Sequence, residues 1–247
     1  MILKTTAIPL AHYPYSSSSR IVHWLTRHHG KISTLLKGAL RPKSPFLGEY
    51  ELFSTSELLY FAKRPHTLHS AKECALLHSR STFRTDWRAM QSASYLATLF
   101  NQTTPDEAPQ PDLFEFFEEL LDLAENYGRF PHFLIWAELQ FCRHHGHAPH
   151  LENCALCGAE KSLVFAASTG GIICTPCAKK EKLNGLPCPP DTLAILRAWQ
   201  KSPQPQLATQ TTLSPAQHHQ LRAVTQTFLQ HHFNINPIHA KTILSTK

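Results

Sequence analysis

Between residues 20 and 27 the chain reads RIVHWLTR, and Val22, Trp24 and Thr26 alternate with Ile21, His23 and Leu25. A period of two predicts a strand, and apolar side chains on both faces suit a small closed barrel. HHGK follows, with Gly30 placed to take a positive φ in a turn. ISTLLK at 32–37 then completes a predicted hairpin. The stretches 50–61 (YELFSTSELLYF) and 66–77 are rich in aromatic, β-branched and Leu residues and read as further strands. Between them and the hairpin lies GALRPKSPFLG at 38–48. Pro42, Pro45 and Gly48 make it a connection, because proline cannot donate to a sheet ladder.

After residue 80 the period lengthens to that of a helix. In 86–102, Met90, Ser94 and Ala97 fall on one stripe and Tyr95, Leu96, Leu99 and Phe100 on another, predicting a helix. TTPDEAPQPD interrupts, and Pro111 opens a second helix with Asp112, Glu115, Glu118 and Glu119 towards its positive end. Its carboxylates read as a solvated face, and Gly128 reads as its stop. A third helix at 132–145 ends at Gly146, with Arg143, His144 and His145 in its last turn. Two more are expected at 191–201 and 215–233, the latter capped by Ser214 with Pro215 at its first position. SPQPQLATQTT separates them as a low-complexity connection, and no internal repeat is visible.

The 247 residues are 42% apolar. A chain of this length buries roughly three quarters of its unfolded surface. No run of about 18 apolar residues occurs, so no membrane span is expected. MILKTTAIPLAHYPY lacks the long apolar stretch and small-residue cleavage site of a signal peptide, which places the expectation in a reducing cytoplasm. Charge is uneven. Residues 1–80 carry eleven Lys/Arg against four Glu, a net +7, out of +6 for the whole chain. Residues 81–150 carry four Lys/Arg against ten Asp/Glu, a net −6. The N-terminal third therefore favours a polyanionic partner, nucleic acid first, over a merely solvated basic surface.

CALCGAEKSLVFAASTGGIICTPC runs from Cys154 to Cys177, and its C-x2-C-x16-C-x2-C spacing fits paired knuckles on one metal. Gly158 and Gly170-Gly171 permit the turns. Cys154, Cys157, Cys174 and Cys177 would fill a tetrahedral Zn²⁺ at about 2.3 Å and leave no open position, so the expected role is structural, with one metal per chain. Rubredoxin-like iron is the alternative metal. Lys179, Lys180 and Lys182 stand ready to offset the thiolate charge. Leu163, Val164, Phe165, Ile172 and Ile173 are the few large apolar residues of this segment, so metal would supply much of its folding energy. His144, His145, His147 and His150 are expected at the surface, and Cys74, Cys142 and Cys188 as buried free thiols. No Walker A loop, Gly-x-Ser-x-Gly, His-Glu-x-x-His or dinucleotide fingerprint is present, which favours a binding protein over an enzyme.

The stretch YPYSSSSRIVHWLTRHHGKISTLLKGALRPKS resembles the RecO family of bacterial recombination mediators. The matching positions are Arg20-Ile21-Val22, Leu25-Thr26, Gly30-Lys31, Lys37-Gly38-Ala39 and Arg41-Pro42-Lys43-Ser44. Ser94-Tyr95-Leu96, Leu113-Phe114, and Cys157-Gly158 with Phe165 and Gly170-Gly171 before Cys174 extend the match along nearly the whole chain. Serines at 17–19 stand where the family has an acidic pair, Leu40 replaces a frequent basic residue, and the last fifty residues match loosely.

The resemblance implies an α+β protein. An OB-fold barrel at 1–80 would precede a helical domain at 81–150 and 186–247, with a four-cysteine zinc module inserted at 151–185. It implies binding of single- and double-stranded DNA, strand annealing, and action with RecR to load RecA on DNA coated by single-strand-binding protein, whose tail the helical part would contact. On an OB barrel a basic groove tracks phosphates and aromatic residues meet bases. Arg20, Arg27, Lys31, Lys37, Arg41 and Lys43 are the expected phosphate contacts. Trp24, Phe46 and Tyr50 are candidates for stacking, with core packing the expected role for Trp24. The rivals are a zinc-stabilised module of transcription or RNA metabolism, a metal-dependent nuclease or hydrolase, and an assembly scaffold that binds no DNA.

Overall fold

The computed structural model describes residues 1–161 and 163–235, which form two compact units that divide between Asn126 and Tyr127.

The first unit is built on a closed barrel of five strands in the order β1-β2-β3-β5-β4. These are β1 (Ile2–Pro14), β2 (Arg20–Thr26), β3 (Gly30–Leu36), β4 (Thr55–Phe61) and β5 (His69–His78). β1 pairs antiparallel with β4 along its first half and with β2 along its second, so one long strand belongs to both walls. Pro9 sits beside the bulge between Pro9 and Ala11, where a missing N–H does least harm. The predicted hairpin forms in register Thr26↔Gly30, with Gly30 at φ 68°. The Thr26 hydroxyl donates to the Gly30 carbonyl at 2.7 Å and accepts the His29 N–H at 3.0 Å. Two parallel pairs, Thr34↔His69 and Leu35↔Ser70, close the barrel between β3 and β5.

Alternation fills the barrel: Val22, Trp24, Ile32, Leu36, Leu58 and Tyr60 point inward. The Trp24 indole donates to Thr34 Oγ1 at 2.8 Å, so the buried ring keeps its polar atom satisfied. The connection from Lys37 to Ser54 is a chain of turns that lays Ala39 and Phe46 on the same core. The strand expected from residue 50 begins at Thr55, because Phe53 takes a positive φ of 67° and ends a turn there.

Three helices complete this unit: α1 (Thr82–Thr85), α2 (Trp87–Thr103) and α3 (Pro111–Tyr127). Asp86 caps α2 by accepting the Arg88 and Ala89 amides. The carboxylates of α3 form the expected solvent-facing side, with Asp112, Glu115, Glu119 and Asp122 exposed, and three of them also reach the barrel. Glu115 pairs with Arg27 at 3.2 Å, Glu118 accepts from the Thr55 hydroxyl at 2.8 Å, and Asp122 takes the buried Arg80 at 2.6 Å. Arg80 also donates to the Phe53 carbonyl at 2.7 Å. Part of the N-terminal basic excess is thus a fastener between barrel and helix.

In the second unit α4 (Pro131–His144) is buried almost all round. It packs with α6 (Pro190–Lys201), α7 (Gln206–Gln210) and α8 (Pro215–Phe233). Gln140 donates to the Trp199 carbonyl at 3.0 Å, and the Trp136 indole to that of Ser202 at 3.0 Å. Ser214 forms the expected cap, with Gln217 returning the bond to its amide. The low-complexity connection contains α7, one turn too short to show a helical period.

The cysteine segment folds as a small sheet, β7-β6-β8, from β6 (Leu163–Ala166), β7 (Gly171–Cys174) and β8 (Leu186–Pro187). A 3₁₀ turn (Ala167–Thr169) joins β6 to β7, and α5 (Thr175–Lys180) follows. Gly170 takes φ 79°, and a Cβ on Gly171 would lie 2.1 Å from the His150 carbonyl oxygen. That contact is tight because His150 brackets β7, donating to Gly170 O and accepting from Ile172 N at 2.9 Å each. Among the described residues no helix is long and apolar enough to cross a membrane.

Candidate nucleic-acid interface and metal-type centre

The six basic residues expected at a phosphate-binding surface fall into two groups. Lys37, Arg41 and Lys43 lie exposed on the turns after β3, with no acidic partner among the described residues. Those turns are anchored: the Gly38 amide donates to Ser19 Oγ at 3.1 Å, and Leu40 N to Ser18 O at 3.0 Å. The Arg41 stem lies over Gly38, where a Cβ would be 3.3 Å from Arg41 Cδ. Three cations are thus presented on a short, braced segment.

The other three are engaged. Arg20 meets His12 Nδ1 at 2.8 Å, and burial, with the Arg20 charge beside it, holds the His12 pKa below the ordinary value. Arg27 pairs with Glu115 and lies over the Phe114 ring, 5.5 Å from its centroid. Lys31 donates to the Asn101 carbonyl at 2.7 Å and pairs with Asp106 at 3.2 Å, leaving its side chain 15% exposed.

Of the three aromatic candidates, Trp24 and Phe46 belong to the core and Tyr50 is half-buried against it. A base cannot reach a ring enclosed by the barrel, so the expectation for Phe46 is corrected. The exposed rings near the Ser16–Ser19 turn are Tyr13 (45%) and Tyr15 (59%). The signal that could have found them is Tyr-Pro-Tyr directly before a run of serines.

In the second unit, Cys154, Cys157, Cys174 and Cys177 bring their sulfurs within 4.8 Å of one another. The Cys157–Cys174 sulfur separation is 3.6 Å. Sulfurs about 2.3 Å from one tetrahedral metal stand roughly 3.8 Å apart, so the four thiols are spaced closely enough to share one metal ion. Cys154 and Cys174 are buried, Cys177 half-buried and Cys157 exposed. Burial raises the Cys154 thiol, but backbone hydrogen bonds at Cys174, Leu156 and Cys157 outweigh it and lower its pKa to about 6. Hydrogen bonds to Cys174 and Cys157 push Cys177 up to about 12. Crowded sulfurs of this kind are what a cation relieves. None of the four neighbouring histidines joins the cluster. Cys74, Cys142 and Cys188 are free and buried, as expected. Burial pushes Cys74 up to about 12 and Cys188 up to about 11.

A closed OB-type barrel followed by helices and a four-cysteine module of metal-binding geometry defines the class: a mixed α+β protein built on an oligonucleotide-binding type of scaffold. Comparison with known proteins narrows it. Residues 1–80 match the family described as recombination protein O, N terminal, and residues 84–242 that described as recombination protein O, C terminal. Similar proteins named DNA repair protein RecO come from Myxococcus xanthus (28% identical over 228 residues, 92% of this chain and 90% of that one) and Anaeromyxobacter sp. strain K (30% over 233 residues, 93% and 91%). Another, from Exiguobacterium sibiricum, is 32% identical over 176 residues, 70% of each chain. The chain belongs to the RecO family of DNA repair proteins. The two matched stretches meet near residue 80, whereas the compact units divide between Asn126 and Tyr127.

Proposed function

We infer that this chain binds single- and double-stranded DNA through its barrel and anneals complementary strands. It acts with RecR to load RecA on DNA coated by single-strand-binding protein. The observation that carries this reading is the braced run of Lys37, Arg41 and Lys43, exposed and without acidic partners on the turns after β3. Unpaired cations on a fixed segment neutralise phosphates and release counterions. Arg20 extends that surface at the start of β2, and Arg27 and Lys31 join it when their acidic partners are displaced. Exposed Tyr13 and Tyr15 add stacking faces, which favours unpaired strands.

Annealing needs neutralised charge and strands held close, and no covalent step, so the protein acts as a binder and not as an enzyme. The net −6 of residues 81–150 turns that stretch away from phosphates and towards proteins, the tail of single-strand-binding protein among them. The cysteine cluster holds one structural Zn²⁺, whose full thiolate shell leaves no position for water. The chain works in the cytoplasm, at the nucleoid.

The test is annealing of complementary fluorescent strands coated with single-strand-binding protein, comparing the natural chain with a K37E/R41E/K43E variant. The natural chain anneals without nucleotide and without cleavage. The variant loses annealing, and its salt dependence for single strands flattens by about two units of slope. Equal annealing by both would remove the reading.

A further inference from the structure

The parallel ladder between β3 and β5 is only two residues long, which leaves the Gly30–Ser33 edge of β3 open. On an OB barrel this neighbourhood, the face of strands 2 and 3, is where single strands lie. Here a groove of about 310 Å³ opens on it, walled by Ile21, His23, Lys31 and Ser33 and, across from them, by His66 and Thr67 of the β4–β5 connection. The chain fills part of this groove with its own backbone. The segment Thr104–Pro109, between α2 and α3, docks on the open edge: Lys31 bridges Asp106 in parallel, and the Glu107 amide donates to the Lys31 carbonyl at 2.9 Å. Ala108 lies so close to Gly30 that a Cβ there would stand 2.5 Å from its carbonyl oxygen.

The carboxylates of this strap take up the groove's donors. Asp106 takes Lys31, the groove's lysine, at 3.2 Å. Glu107 accepts from the His66 amide at 2.8 Å and from His69 Nε2 at 3.1 Å. His69 Nδ1 accepts the Lys63 amide, so the proton is on Nε2 and points at Glu107. Glu107 holds φ 54°, in the left-handed region, which turns the chain at the end of the docked stretch. Asp106 is the exposed member of its pair, its side chain 64% accessible.

We propose that Thr104–Pro109 is an internal phosphate mimic: an acidic strap that keeps the β2–β3 groove closed and that a single-stranded phosphate backbone must displace. This rests on the DNA-binding reading above and explains why the groove's lysine is spent internally while Lys37, Arg41 and Lys43 stand free. The outer cations capture the strand first, and the groove engages when the strap lifts.

The experiment titrates a labelled oligothymidylate against the full chain, D106N, K31M and K31M/D106N, with hydrogen exchange of residues 100–110 alongside. D106N tightens binding by about threefold to tenfold at low salt and steepens the salt slope by about 0.7, one further single-strand phosphate contact. The gain vanishes in K31M/D106N relative to K31M, because it needs the lysine that Asp106 covers. In the natural chain, oligonucleotide lowers protection of the Glu107 amide as its bond to Lys31 opens. Unchanged or weaker binding by D106N, or a gain that survives K31M, overturns the strap while natural-chain binding leaves the DNA reading standing. Binding by D106N alone supports the strap in its strongest form, and binding by neither removes both.

Discussion

The barrel and the cysteine module solve the same problem by different physics. The barrel encloses a core of Trp24, Val22, Leu58 and Tyr60 and closes its ladder on itself, so it carries its own stability. The module has three short strands and a small cluster in which Cys154 and Cys174 count as core residues beside Ala166, Ile173 and Ala178. Such a cluster lacks the apolar area to fold alone. The lesson is that the two regions should fail under different insults: one when apolar volume is removed, the other when the sulfur cluster is broken.

On the zinc reading proposed above, removing the metal is the largest blow. A strong chelator, or Cys174→Ser, unfolds 151–185 and leaves the barrel in place. Hydrogen exchange read by mass spectrometry then shows loss of protection in β6 and β7 and none in β2 and β3. Equal loss in both regions would erase the contrast. Trp24→Ala is the converse blow. It deletes a fully buried ring and orphans the Thr34 hydroxyl, lowering barrel stability by about 3–5 kcal/mol. Urea unfolding followed by the same exchange experiment should leave the cysteine module untouched. The mildest effect is that of acid. His12, His23 and His29 in the first unit, and His132, His145, His218 and His232 in the second, are all held below the ordinary imidazole pKa, chiefly by burial. A lowered folded pKa means that unfolding takes up protons. The stability they contribute is therefore complete above about pH 6.5 and declines as pH falls below it. Thermal melts between pH 8 and 5.5 should slope that way for both units, with a steeper fall in the second on the proposed zinc reading, because acid then competes with the metal for the sulfurs.

The contrast also sets what could be read from sequence. The β2–β3 hairpin was visible because its alternation is uninterrupted and Gly30 marks its turn. β1 was not: α2 packs on it, so Ala7, Ile8 and Leu10 are buried on both faces, and Pro9 argues against a strand. β6, β7 and β8 were not, because four-residue and two-residue strands carry no period; sulfur spacing announced the module, and its sheet follows from that constraint. The thiols were legible because their chemistry needs a local pattern. The cations were legible as a count and not as a surface, since Glu115, Asp106 and Asp122, which engage Arg27, Lys31 and Arg80, lie far along the chain.

The seven thiols divide into two populations. Cys74, Cys142 and Cys188 are enclosed and held as neutral SH, poor targets for any electrophile. Cys157 is exposed and Cys177 half-buried, so an alkylating reagent reaches these two sulfurs before any of the enclosed three. On the zinc reading proposed above, the number of alkyl groups the folded chain accepts becomes a gauge of metal occupancy, with three silent cysteines to mark whether it is still folded.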